Sequence, residues 1–132
     1  MVTVTRRREL EGSLERLLAE DAARHHLDAR GRIEWLTHHL GLYIGRFSAF
    51  AGLQSGDVTG LREHALFAAV EVGTERLDRK LRGSGAPAKL FNQWQLYLAA
   101  LGVMRGAPSS DNAGALRAAV GGWQGALAGA KW

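Results

Sequence analysis

The sequence predicts an all-α protein, a compact five-helix bundle with the second helix central. Three observations point there. Apolar residues recur at helical spacing along almost the whole chain. The only two prolines, Pro87 and Pro108, fall where one helix starts and another has just stopped. The 132 residues are 46% apolar and 23% charged, which is the composition of one globular domain spanning 1–132. A chain of this size buries about two thirds of its unfolded surface.

The first helix is predicted from about Arg6 to Leu27, with residues 1–5 a flexible tail rather than a Val2-Thr3-Val4 strand. Leu10, Leu14, Leu17, Asp21 and His25 share one face, with Leu18 and Ala22 beside it. Glu20 and Arg24 stand in the favourable i,i+4 order. Asp28 is the expected cap of the second helix, about Ala29 to Ala51. There Ile33, Leu36, Leu40, Tyr43, Ile44, Phe47 and Phe50 keep the 3.6 period, and Trp35 and Leu42 widen the apolar arc. So wide an arc predicts a helix surrounded by neighbours. Gly41, Gly45 and Ala49 form a small-residue row on its remaining side, and close approach of another helix backbone is expected along it. Each interior glycine costs about 1 kcal/mol against alanine.

The third helix is expected from about Gly60 to Leu81, capped by Thr59 or Asp57. Leu61, Ala65, Ala68 and Val72 form one row, and Leu66, Val70, Gly73, Leu77 and Leu81 another. Glu75–Arg79 and Asp78–Arg82 are expected i,i+4 pairs. Gly83-Ser84-Gly85 closes it. The fourth helix starts near Ala86, buries Leu90, Trp94, Tyr97, Leu98 and Leu101, and ends at Gly106 and Pro108. The fifth, about Asn112 to Gly129, buries Ala113, Leu116, Val120, Trp123 and Leu127. Short connections predict antiparallel neighbours.

Charge is segregated along this plan. The formal net is +4, and the segment Arg76–Lys89 alone carries five basic residues and one acid. Only four charged residues follow Leu90: Arg105, Asp111, Arg117 and Lys131. The last two helices are thus nearly uncharged, and Gly121, Gly125 and Gly129 repeat at four-residue spacing. A five-helix domain has too few residues to hide two whole helices. The uncharged hairpin is therefore expected to meet another protein chain through Trp123, Gly121, Gly125, Gly129 and the terminal Trp132. The basic residues Arg6, Arg7, Arg8, Arg76, Arg79, Lys80, Arg82 and Lys89 suit a phosphate backbone, read without sequence preference. Against that stands the ordinary preference of cations for a helix C-terminus.

Enzyme signatures are missing. No cysteine is present, which removes thiol nucleophiles, disulfides and thiolate metal sites and fits a cytoplasmic location. No apolar stretch follows the basic N-terminal run, so no secretory signal is expected, and no segment suits a membrane span. There is no Gly-x-Ser-x-Gly elbow, P-loop or His-Glu-x-x-His helix. Glu71 and Glu75, and Glu11 and Glu15, are carboxylate pairs without a second acidic motif, so an ordinary charged face is expected. Glu34 and His38, i,i+4 on one face, are a legitimate metal-ligand pair that would need a third ligand such as His64. No cofactor is implied.

In size, helix order and charge the chain resembles the small helical subunits of CRISPR effector complexes. That resemblance covers the whole chain, and no short motif carries it. It implies a non-catalytic subunit that stacks in a filament and holds guide or target strands through basic side chains. On charge, these would be Arg6, Arg7, Arg8, Arg76, Arg79, Lys80 and Arg82. The expected function is accordingly an assembly subunit with one nucleic-acid surface, RNA or DNA, and one protein surface. The alternatives are a metal- or ligand-binding bundle using Glu34, His38 and His64, and a homodimeric regulatory domain without nucleic acid.

Overall fold

The computed structural model describes residues 4–53 and 64–131, with side chains from residue 7 onward. It contains α1 (Val4–His25), α2 (Ala29–Gly52), α3 (Ala65–Arg82), α4 (Ala88–Gly106) and α5 (Ser110–Gly129). No strand occurs among the described residues, and none of the helices is long and apolar enough to cross a membrane.

Local chemistry sets the helix ends. After α1, His26 takes a left-handed conformation (φ 54°) and the Leu27 N–H reaches back to the Ala22 carbonyl at 3.0 Å. This is the closure that glycine usually provides. Asp28 caps α2, its Oδ1 accepting from the Gly31 N–H at 2.7 Å. Ser109 caps α5 through the Asn112 N–H at 3.0 Å. Pro87 precedes α4 and offers no side-chain cap. The cap of α3 is His64, whose Nδ1 accepts from the Leu66 N–H at 3.1 Å. The earlier start near Gly60, with Thr59 or Asp57 as cap, lies outside the described residues. Val4 and Thr5 belong to α1 rather than to a tail.

Helix α2 packs against α3, α5 and α1, which makes it the central helix; α4 packs on α5, and α1 also touches α3. The core lies between α2, α3, α4 and α5, with α1 laid against α2 and α3. It is built from Leu40, Ile44, Phe47, Phe67, Leu77, Trp94, Tyr97, Met104, Leu116 and Trp123, all fully buried. On α1 the inward row is Leu14, Leu18 and Ala22. Leu17, expected on that face, is 44% exposed. The face is rotated because α1 has to serve two neighbours. Asp21, at its rim, accepts the Trp35 indole N–H of α2 at 2.7 Å.

Gly41, in the row expected on α2, and Gly73 on α3 each face a neighbouring helix. A Cβ on Gly73 would stand 3.4 Å from the Leu40 methyl and 3.9 Å from the Tyr43 ring. Gly41 meets only the flexible amide of Gln124, and Gly45 faces open space. Along this row α5 approaches through a side chain at Gly41 and leaves Gly45 open, rather than bringing its backbone close.

Candidate functional site

Three aromatic side chains link the helices through their polar ends. The Trp94 indole donates to Asp78 Oδ1 at 2.8 Å. The Tyr97 hydroxyl meets Thr74 Oγ1 at 2.7 Å, and that hydroxyl donates to the Val70 carbonyl at 2.7 Å. The Trp123 indole donates to Thr37 Oγ1 at 3.1 Å. The Trp94 ring lies 4.9 Å from Tyr97 and 5.0 Å from Trp123. Burial pushes the Tyr97 phenol above its ordinary ionisation range, with the Thr74 hydrogen bond opposing it. Every polar atom of this cluster is satisfied within the fold, so it is structural. Trp123 was expected at a protein interface; it is wholly buried, because α5 turns it inward onto α2 and α4.

The basic residues divide into two groups. Arg7 reaches Glu75 at 3.1 Å, Arg76 reaches Glu15 at 2.9 Å, and Arg82 reaches Asp78 at 2.8 Å. Among the described residues, Arg8, Arg79, Lys80 and Lys89 form no ion pair. The expected Glu75–Arg79 pair is replaced, since α1 delivers Arg7 to Glu75 and leaves Arg79 outside. Likewise Arg24 approaches Asp21 at 3.9 Å rather than Glu20. The side chain of Arg6 lies outside the described ones. Lys80 shares a hollow of about 260 Å³ with Arg32 and Glu15. Arg32 escaped the sequence reading because nothing local ties it to the Arg76–Lys89 segment; antiparallel packing of α2 on α3 brings it there.

The carboxylates are matched in the same way. Glu71, Glu75 and Asp78 line a cleft of about 250 Å³ between α3 and α4. Arg105 holds Glu71 through two nitrogens at 2.9 and 3.1 Å. With Arg7 on Glu75 and Arg82 on Asp78, each acid has its own arginine.

The metal alternative is not assembled. Glu34 is held by Arg30 at 2.8 Å. His38 is exposed and meets the His39 ring edge-on at 5.5 Å. His64 caps α3 and lies against Phe50, ring centroids 4.1 Å apart. Phe50 is three turns along α2 from His38, about 18 Å at helical rise. No group of three or more His, Asp or Glu suited to a metal occurs among the described residues.

The α4–α5 hairpin carries few charges; Lys89 and Lys131 border the hollow that holds Gly125 and Gly129. Gly121, Gly125 and Gly129 are exposed, and a side chain at any of them would meet nothing within 4 Å. On α4, Leu96 is 63% and Val103 56% exposed. Sequence reasoning missed these two because α4 is apolar around much of its circumference. Their seven-residue spacing, off the Leu90–Trp94–Tyr97–Leu101 face, was the available signal. Trp132 lies outside the described residues.

Comparison with protein-family models, with curated proteins and with solved structures finds no match to this chain.

Proposed function

We propose that the protein is a non-catalytic subunit of a larger assembly. The observation that carries this reading is the outer α4–α5 surface: two large apolar side chains, Leu96 and Val103, stand exposed on a hairpin with few charges. Apolar area left in water in this way gains free energy when a partner covers it, at about 25 cal/mol per Å². The nucleic-acid surface is narrower than the sequence suggested. It consists of those expected cations that form no ion pair among the described residues, Arg8, Arg79, Lys80 and Lys89, with Arg32 beside Lys80. They suit phosphates held without base readout.

Two measurements test the reading. Fluorescence anisotropy with a labelled single-stranded RNA should show binding that weakens steeply as salt rises from about 50 to 200 mM. R79E/K80E should reduce it about tenfold or more, while R82E, whose arginine is already engaged by Asp78, should reduce it less. Absence of binding at low salt removes the nucleic-acid part. Native mass spectrometry of the protein purified from its source should show companion subunits, and L96D/V103D should release them. If the wild type runs as a homodimer that L96D/V103D splits, and binds no RNA, the chain is instead a self-associating regulatory domain.

A further inference from the structure

A groove of about 600 Å³ runs between α2 and α5. Its floor includes Gly45 and Gly121, both open to solvent above, and Val120. Leu42, 44% exposed, stands in one wall. Arg46 on α2 and Arg117 on α5 flank it, both exposed and neither in an ion pair among the described residues. Among the described residues no acid lines the groove. This contrasts with the α3–α4 cleft, where every carboxylate has an arginine.

We propose that the α2–α5 groove receives an acidic helix of a partner protein, whose carboxylates meet Arg46 and Arg117. The inference rests on the reading of the chain as an assembly subunit and names the chemistry of one partner. Charge selects the occupant. Two arginines on opposite walls with no acid between them leave a positive field that only an anionic surface complements. A second copy placed groove to groove would bring four guanidinium groups together without a counter-charge. A nucleic-acid strand matches the charge, but among the described residues no aromatic side chain lines the groove for bases to stack on. Leu42 and Ala49 instead offer aliphatic contact. Absent side chains at Gly45 and Gly121 let a third helix sit low in the groove, below the usual 8–10 Å axis separation.

The test uses the full chain and a labelled amphipathic peptide of about 18 residues, about 27 Å long as a helix, with Ala and Leu on one face and Glu on the other. Anisotropy should show saturable binding at low salt, and a Gln-for-Glu peptide should bind far less. R46E/R117E should weaken the Glu peptide about tenfold or more. G45L/G121L, which fills the floor, should also weaken it, with helicity checked by circular dichroism. R79E/K80E should leave peptide binding unchanged. The proposal is overturned if R46E/R117E binds the peptide as well as wild type does, or if the peptide is not bound at all. It is also overturned if R46E/R117E lowers RNA binding but not peptide binding, or if it converts a wild-type oligomer to monomer. Loss of RNA binding in R79E/K80E with no peptide binding in wild type would sink this inference and leave the nucleic-acid reading standing. Peptide binding without RNA binding would do the reverse.

Discussion

On the α1–α3 side, acids and bases meet across helices: Arg7 with Glu75, Arg76 with Glu15. On the α4–α5 side, the links are aromatic: Tyr97 with Thr74, Trp94 with Asp78, Trp123 with Thr37. Arg7–Glu75 lies nearer the surface, where such a pair contributes about 0.2–1 kcal/mol, while Arg76 is half-buried. In the second set, Tyr97–Thr74 and Trp123–Thr37 are buried, where an abandoned polar partner costs about 1–3 kcal/mol, and Trp94–Asp78 is partly buried. Positional precision in this fold therefore comes from the aromatic cluster.

This contrast can be broken from its strong end first. W123A should cost about 3–5 kcal/mol, read by urea denaturation, because it empties a fully buried volume and strands Thr37. T74V should cost about 1–3 kcal/mol by leaving the Tyr97 hydroxyl without its partner, and T74S should cost much less. Tyr97 also sets a pH dependence. Its folded-state pKa is raised above the ordinary 10.0, so at pH above about 10 the unfolded chain loses the phenolic proton and the folded chain keeps it. Folding stability should fall as pH rises through that range, and Y97F should remove that component of the decline.

At the weak end, G125A should raise stability by about 0.5–1 kcal/mol, since its added methyl meets open space and the helix gains propensity. If it also weakens subunit capture, the glycine row serves the partner. H26G should gain about as much by easing the left-handed α1 terminus. Smallest is R7A, at about 0.2–1 kcal/mol, because Arg7 and Glu75 are both well exposed. A loss above 2 kcal/mol there would mean that the charged side holds α1 in place more firmly than its geometry indicates.

Much of the fold was legible because periodicity and caps are local. Asp28, the Leu36–Leu40–Ile44–Phe47 row and the Leu116–Val120–Trp123–Leu127 row stand where the spacing put them. The surfaces were less legible, because charge pairing is decided between helices. Glu75 has an ideally spaced Arg79 on its own helix and takes Arg7 from α1 instead. Glu34 and His38 sit on one face as expected, but Arg30 takes the carboxylate and His64 caps a helix three turns away.

The sequence by itself determined five helices, the Asp28 cap of α2, and the division into a charged part and a neutral one, since propensity, capping and composition act over a few residues. Only the tertiary structure decided which cations form no ion pair among the described residues, that Trp123 is core, that Gly41 meets Gln124 while Gly45 floors a groove, and that Arg46 and Arg117 both line it. Each of these depends on which side chain a second helix presents, and one helix's periodicity contains no term for that.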